Sequence, residues 1–377
     1  MHGVRRERLT AAAAKIKREA TEKKIANYQE VAVAFFDLRK AQCATVEPET
    51  SLRVTYDLLD LNPELNTAWN YRRDAFCRLF DIPLAGTKEV TYPELAPATS
   101  MDARKELIEQ ELRGIVGRIR AFPKSYWVWH HRVWVICCLV LGIPAQGATS
   151  ERLGGVLAPM TVDATNVTPS PAGYTPEEQL ALLQKEQHLC KEMLRLDDRN
   201  FHCWDYRRFV VSQLARLTQA DRATGLAEVY QAEFDFTRSK LADNFSNYSA
   251  FHLRTRLLPA LGMQLDAEFE LVNNANFTEP NDQSPWFYLR WLLSQVQADP
   301  NAKTILREQL DNLEQLIELE PECKWPVLFF ALVAQKLVLF SSETDAAALT
   351  QAANLRLTEL EQMDSLRAGY YHDLQST

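Results

Sequence analysis

One spacing recurs along the chain and constrains its fold more than any other feature: an aromatic residue three positions before an arginine. It stands in "TAWNYRR", "WVWHHR", "HCWDYR", "SAFHLR" and "PWFYLR". Residues three apart lie on one face of a helix, so each copy predicts a helix that presents both side chains to the same neighbour. The five pairs are Trp69 with Arg72, Trp129 with Arg132, Trp204 with Arg207, Phe251 with Arg254, and Phe287 with Arg290.

The intervals between these copies predict a stack of helical hairpins. The later intervals suit one hairpin each, and Trp325 in "CKWPVLFF" marks a degenerate sixth copy. The first two intervals are longer because residues 82–101 and 142–175, which carry Pro, Thr and Gly, form loop insertions. The repeat resumes after each insertion, so we expect a single all-α repeat domain over residues 1–377, an α-α superhelix built as a solenoid.

Local signals also indicate helices throughout. Thr175 is a plausible N-cap, Pro176 fits the first turn, and Glu178 completes a capping box. An apolar stripe at helical period runs earlier in the chain, and alternating strand patterns are absent. The stripe consists of Ile108, Leu112, Ile115 and Ile119.

Composition excludes several functional classes. The formal net charge of −8 argues against a nucleic-acid binder, which needs a basic face. The cysteines are odd in number and include no CxxC pair, which suits the reducing cytoplasm and implies neither a disulfide framework nor a zinc module. Residues 1–24 lack the apolar core of a signal peptide and are expected to form a mobile basic segment, and no apolar run predicts a transmembrane span.

Most residues inside the repeats have a structural interpretation. The aromatic residue can wedge between the helices of its hairpin, and the arginine can reach a carboxylate or carbonyl of the next unit. His130 and His131 are expected to pack between repeats, since they lack the spacing of a metal pair. Asp205 is expected to be a charge on the helix surface or between repeats, and Cys203 is expected to be an inert packed thiol.

Polar and aromatic residues at the starts of successive second helices form a different group, here called the N-terminal edge. In a solenoid, equivalent positions align along one side, and helix N-termini offer free N–H donors and partial positive charge to a phosphate. A complete active site is absent, because the chain has no metal motif, phosphate loop or nucleophile triad. The edge residues are Lys124, Tyr126, Asn200, Phe201, His202, Asn247 and Tyr248.

Each edge residue also has a structural alternative. Lys124 can be a solvated loop lysine, Tyr126 can belong to the core, and His202 can be a capping or interface histidine. His2 in "MHG" can be an irrelevant terminal residue, or it can reach a zinc ion held by a partner and inhibit it.

The flanks of two copies carry a family resemblance. "PKSYWVWHHR" and "RNFHCWDYRR" resemble the α-subunit repeats of protein prenyltransferases, and their sequence is most similar to the Rab (type II) geranylgeranyltransferase branch. The resemblance spans residues 28–340 and implies a crescent of hairpins around a β subunit that holds the catalytic zinc. It implies that Lys124, Tyr126 and His202 are catalytic, and that Asn200, Phe201, Asn247 and Tyr248 line the diphosphate or substrate edge.

The same resemblance implies the reaction and the partners. The heterodimer would transfer geranylgeranyl from geranylgeranyl diphosphate to C-terminal cysteines of Rab GTPases, which an escort protein presents. This chain itself would bind no cofactor. Two alternatives stay open: an α subunit of farnesyltransferase or type I geranylgeranyltransferase, and a non-enzymatic tetratricopeptide-like adaptor. The irregular period and the aromatic-x-x-Arg units are unlike the tetratricopeptide pattern.

Overall fold

A computed structural model describes residues 10–40, 46–82, 100–143, 168–219, 223–262, 265–296 and 299–375. Throughout these ranges the chain is helical and forms no strand, which confirms the predicted all-α fold class. A π-helical turn, Val135–Val140, continues α5, and a 3-10 turn, Ser365–Arg367, precedes α15. The helices are α1 Ala11–Lys40, α2 Pro48–Leu61, α3 Asn66–Leu79, α4 Met101–Ala121, α5 Tyr126–Trp134, α6 Pro176–Leu196, α7 Phe201–Gln219, α8 Ala223–Asp243, α9 Tyr248–Leu261, α10 Leu265–Thr278, α11 Gln283–Gln295, α12 Ala302–Leu319, α13 Lys324–Val338, α14 Glu343–Met363 and α15 Ala368–Gln375.

Consecutive helices pair as hairpins, beginning with α2–α3 and α4–α5 and ending with α12–α13. The chain forms two compact units: residues 1–196 with 200–217, and residues 197–199 with 218–377. Each unit is described by itself below, and the single domain over 1–377 stays a prediction.

The local helix signals hold. The Oγ1 of Thr175 accepts a hydrogen bond from the Glu178 amide at 3.3 Å, and Glu178 accepts one from the Thr175 amide at 2.8 Å. This reciprocal pair is the predicted capping box. The predicted stripe of α4 is buried at all four positions, which are Ile108, Leu112, Ile115 and Ile119.

The tryptophans of the repeat are buried wedges held by one recurring bond. The Trp69 indole donates to the carbonyl of Pro63 at 2.8 Å, and the Trp129 indole donates to that of Pro123 at 3.0 Å. Each ring also contacts a ring of the following copy: Trp69 lies 4.5 Å from His131 between centroids. The wedge residues Trp204 and Phe251 are buried as well. The first four aromatic positions are therefore structural, as predicted.

The arginines join one hairpin to the next through buried carboxylates. Arg72 pairs with Glu111, and Arg132 pairs with Glu186 through two bonds of 2.7 and 2.6 Å. We call such an arginine, its glutamate and the second donor on that glutamate an inter-repeat joint. The second donors are His131 on Glu111 at 2.9 Å, Tyr206 on Glu186 at 2.6 Å and Tyr288 on Glu268 at 2.5 Å, the last beside Arg254.

A fourth arginine also bonds to a main-chain carbonyl, as Arg72, Arg132 and Arg254 do. Arg207 donates to the carbonyl of Gln187 at 3.2 Å, within the first unit. The prediction that these arginines reach carboxylates or carbonyls of neighbouring helices is thus confirmed for Arg72, Arg132 and Arg254, which bond to glutamates of the next hairpin. For Arg207 the carbonyl belongs to α6, the first helix of its own hairpin.

The predicted register of the fifth copy is wrong by one residue. Trp286 is fully buried and donates to the carbonyl of Pro280 at 2.8 Å, as Trp69 and Trp129 do six residues after a proline, whereas Phe287 is 45% exposed. Arg290 is exposed too, and Leu289 occupies the arginine position. Phe287 and Arg290 therefore do not belong to the interior pattern.

The sixth copy shifts in the same way. The Trp286 ring contacts Phe329 at 5.0 Å between centroids. In earlier copies the contacted ring stands two positions after a wedge, so the sixth wedge is the buried Val327 and not Trp325.

The end of the second insertion is tied to the π-helical turn. The Ala172 amide and the Ser170 hydroxyl both donate to the carbonyl of Leu139, at 3.2 and 3.0 Å. The Thr168 amide donates to the carbonyl of Gly142 at 3.0 Å, and Gly142 has a φ of +65°. These bonds satisfy the Leu139 carbonyl at the C-terminal end of the helix and the Gly142 carbonyl just beyond it. Of the predicted insertions, residues 83–99 and 144–167 lie outside the described residues.

The described part of the predicted N-terminal segment is helical. Residues 11–24 form the exposed first part of helix α1, as their mixed charges favour, and the mobility of the segment stays a prediction. His2 lies outside the described residues, and its contact with a partner's zinc stays a prediction.

Candidate functional site at the N-terminal edge

The first unit brings four of the predicted edge residues together. Lys124 and Tyr126 stand at the start of α5, and Phe201 and His202 at the start of α7. The Tyr126 ring meets His202 edge-on at 4.3 Å between centroids, and Phe201 lies 3.9 Å from His202. Tyr126 is 62% exposed and His202 only 6%, so the tyrosine ring lies on the solvent side of a buried imidazole.

His202 is a buried neutral ring that holds the Lys124 turn. Burial lowers the pKa of His202, while the charge of Asp205 and a hydrogen bond to the backbone of Lys124 oppose the shift. A ring with a lowered pKa is uncharged near neutral pH. The imidazole thus positions the turn that carries the exposed Lys124 ammonium.

Glu64 is an edge residue that the sequence interpretation missed. Its negative charge raises the pKa of His202, and the charge of Lys124 lowers it. Glu64 follows Pro63 just as Lys124 follows Pro123, so alignment of the two turns provides the signal that finds it. The edge therefore carries charges of both signs around His202.

The two edge asparagines cap their helices and bond to the preceding turn, and their place at the substrate edge stays a prediction. Asn200 Nδ2 donates to the carbonyl of Pro123 at 2.9 Å, and its Oδ1 accepts from the Cys203 amide at 3.2 Å. Asn247 likewise donates to the carbonyl of Asp198 at 3.1 Å and caps α9. Both side chains are buried because helix capping and the link to the preceding turn use all their groups.

Tyr248 begins α9 in the second unit. It is exposed, and its ring stacks on His252 at 6.2 Å between centroids. Its position at the start of a second helix matches that of Tyr126 and Phe201, so an exposed ring opens three of the second helices.

Two kinds of feature are absent from the described parts of the chain. Within them, no three His, Cys, Asp or Glu side chains gather closely enough to hold a metal ion. No helix of those parts combines the length and apolar composition that a membrane span requires.

Comparison with known proteins defines the class. Five segments match the protein prenyltransferase alpha subunit repeat: residues 48–79, 108–139, 183–214, 230–261 and 265–296. They contain the wedges and arginines of the joints described above. The chain belongs to the protein prenyltransferase alpha subunit repeat family.

Individual relatives narrow the comparison. The chain is 34% identical over 313 residues to a geranylgeranyl transferase type-2 subunit alpha of Sus scrofa, covering 80% of this chain and 42% of that protein. It is 26% identical to the Candida albicans protein of the same name, covering 99% of this chain and 96% of that protein. The chain thus spans less than half of the mammalian relatives and nearly all of the yeast one.

A solved structure shares the fold. A chain of Candida albicans protein geranylgeranyltransferase-I complexed with GGPP superposes with a TM-score of 0.57 at 16% sequence identity. The match covers 93% of this chain and 90% of that chain. At this identity the likeness shows the fold alone, and it supports the helical-repeat architecture.

Proposed function

We propose that this chain is the α subunit of a heterodimeric Rab geranylgeranyltransferase. The reaction would move geranylgeranyl from its diphosphate to C-terminal cysteines of Rab GTPases in the cytoplasm. Support comes from the type-2 alpha relatives, above all the yeast one that matches over nearly its full length.

The single observation that carries the catalytic part is the cluster of Lys124, Tyr126, Phe201 and His202. In the transfer step a cysteine sulfur bonds to C1 of the isoprenoid while the C–O bond to the diphosphate breaks. Negative charge then grows on the leaving oxygens. The Lys124 ammonium and the Tyr126 hydroxyl, exposed at the start of α5, are suited to stabilise that charge, and His202 holds their turn in place.

The remaining parts of the enzyme are assigned to the partners. A β subunit would supply the zinc that activates the cysteine and most of the isoprenoid pocket. The exposed rings of Tyr126 and Phe201 are apolar surface that such a partner would cover. An escort protein would present the Rab.

The alternatives have less support. The curated relatives cited above are named type-2 subunits, whereas the type I likeness rests on 16% identity and concerns the fold. The adaptor alternative gives no reason for Lys124, Tyr126 and His202 to converge at one edge.

Co-expression with candidate β subunits tests the proposal. The chain is purified with a type II, a type I or a farnesyltransferase β subunit, and each complex is assayed on escorted Rab and on proteins ending in a CaaX box. We expect a stable complex and transfer to Rab only with the type II subunit. Transfer to CaaX proteins with another β subunit, or a stable monomer that ignores all three, would contradict the proposal.

A further inference from the structure

A basic and aromatic cavity of about 910 Å³ opens in the second unit, near the starts of α9, α11 and α13. Its lining has more cations than carboxylates, although the chain as a whole carries a net charge of −8. The cationic lining residues are Arg199, Arg290, Lys324 and Arg367, and Asp282 contributes a carboxylate. A locally positive cavity on an acidic protein favours an anionic ligand.

Two of the four cations hold the cavity wall in place. Lys324 and Arg367 each donate to the Asp364 carboxylate at 2.7 Å. Tyr371 donates to the same carboxylate at 3.1 Å, which ties the start of α13 to α15. Lysine, arginine and tyrosine together lower the pKa of Asp364 to about 2 by hydrogen bonding, against the effect of its burial. These two cations are therefore committed to the fold.

The other two cations keep donors available. Arg199 uses one nitrogen to donate to the Ser246 hydroxyl at 2.6 Å. Arg290 donates to the Tyr370 hydroxyl at 3.5 Å, at the limit of a hydrogen bond. Both guanidinium groups are exposed. The Ser246 hydroxyl donates to Asp282, and the charge of Arg199 helps to lower the pKa of that carboxyl. Arg290 pairs with no carboxylate among the described residues and is the less committed of the two. Each can therefore accept a carboxylate in the two-bond geometry that arginine favours.

Exposed aromatic rings in the cavity indicate that the ligand has apolar groups as well as negative charge. Tyr248, Phe287 and Tyr370 line the cavity and remain partly exposed. In the corrected register Trp286 and not Phe287 fills the interior position, so stacking of the repeats does not require an aromatic side chain at Phe287. A bare phosphate would leave these rings in water, whereas a peptide that alternates acidic and apolar side chains would cover them.

We propose that this cavity binds an acidic peptide segment of a partner protein. Carboxylates of the segment bind Arg290 and Arg199, and an apolar side chain of the segment packs on Phe287. The inference does not rest on the Lys124 cluster, which belongs to the other unit, although Asn247 and Tyr248 of the cavity are also residues that the family resemblance predicts at the substrate edge.

The test uses the full chain and a fluorescein-labelled peptide of alternating glutamate and phenylalanine, followed by fluorescence anisotropy. A peptide of alternating lysine and phenylalanine is the charge control. We expect the glutamate peptide to bind and Arg290→Glu to weaken it by about tenfold or more. Arg307→Glu changes the net charge equally at an exposed site on α12 outside the cavity, and should leave binding unchanged.

Further arms separate the possible ligands. Phe287→Ser should weaken the peptide, and Arg290→Gln repeats the charge test in case the reversal disturbs folding, which circular dichroism checks. The proposal is overturned if the glutamate peptide does not bind, or if Arg307→Glu weakens it as much as Arg290→Glu. It is also overturned if inorganic phosphate displaces the peptide while Phe287→Ser has no effect, because the cavity would then be a phosphate site.

Discussion

Helix α5 carries two regions that behave oppositely within six residues. Tyr126 at its start is 62% exposed and contacts its neighbours only through ring edges, whereas Arg132 is buried and fixed by Glu186 on the next hairpin. The buried region repeats with little change in other hairpins, as Arg72 with Glu111 and Arg254 with Glu268. The residue preceding the N-cap varies from hairpin to hairpin, through Glu64, Lys124, Arg199, Ser246, Asn281 and Glu322.

The difference teaches where to look for function in a repeat protein. A residue that recurs at the same place in several hairpins, such as the joint arginine, serves the stacking that those hairpins share. A residue that departs from the repeat, such as Lys124 where the previous hairpin has Glu64, serves something local to its own hairpin. From this comparison we expect substitutions in the joints to change stability and substitutions at the N-terminal edge to change the proposed activity.

Breaking a joint should produce the largest loss of stability. Glu186→Ala leaves the Arg132 guanidinium buried without its counter-charge and removes the acceptor of the Tyr206 hydroxyl. Removal of one partner from a buried pair typically costs about 3–5 kcal/mol. Urea denaturation followed by circular dichroism measures the loss. Glu192→Ala removes an exposed partner of Arg195 on the same helix and should change stability by about 0.5 kcal/mol or less; equal losses in the two variants would refute the special role of the joint.

The tie between the π turn and the second insertion should be the next most sensitive feature. A Cβ at Gly142 would lie 2.0 Å from the Thr168 carbonyl oxygen, and the φ of +65° is unfavourable for alanine. Gly142→Ala should therefore cost roughly 2 kcal/mol or more. Gly262 has a similar φ of +77° but open space around its Cβ position, so Gly262→Ala should cost about 1 kcal/mol. A thermal scan that ranks the two variants in the opposite order would contradict this explanation.

A smaller effect distinguishes one joint from another by its pH dependence. Burial lowers the pKa of His131 from 6.5 to about 3, although its hydrogen bond to Glu111 acts in the opposite direction. Between these two pH values, His131 is protonated in the unfolded chain and neutral in the folded chain. The contribution of neutral His131 to the free energy of unfolding is therefore complete above pH 6.5, and it is lost as the pH falls from there toward 3. His131→Tyr places a tyrosine where the second joint has Tyr206. It should reduce the slope of stability against pH by the equivalent of up to one bound proton.

The slope is measured by denaturation at several values of pH. His188→Tyr, at an exposed position of α6, is the control and should keep the original slope. His130, whose pKa burial lowers to about 4, remains in both variants and leaves part of the decline in place. An unchanged slope in His131→Tyr would mean that this histidine does not contribute to the acid sensitivity.

The sequence predicts the arginine of each joint, because local spacing places it on one helical face with the wedge, but it does not predict the partner glutamate or the second donor. One helical face carries Arg132, and its partner Glu186 lies on the helix that begins at the predicted capping box. The prediction for the fifth copy is wrong because "PWFYLR" contains two adjacent aromatic residues. The position of its arginine favours Phe287, whereas the buried wedge is Trp286. The position of Pro280 six residues before Trp286 carries the missing signal, since the indole bonds to that carbonyl.

Other features depend on contacts that no local pattern contains. The π turn near Leu139 is stabilised by Ser170 and Ala172, which return from a long insertion. The edge asparagines looked like ligand donors because their type and position fit that role. Their second bonds, such as that of Asn200 to Pro123, reach the preceding turn and can be known only from the stacking.

The edge itself is tested most directly by single-turnover transfer from pre-bound geranylgeranyl diphosphate, with the heterodimer carrying Lys124→Ala. Loss of a donor to a leaving group typically costs about 10²–10³ in rate, and solvent at this exposed position should keep the effect at or below about 10². Lys191→Ala, at another exposed lysine, is the matched control. We predict a slower transfer step in Lys124→Ala alone, with the heterodimer intact and the diphosphate still bound within about tenfold. An unchanged single-turnover rate would contradict the claim that this edge stabilises the departing diphosphate.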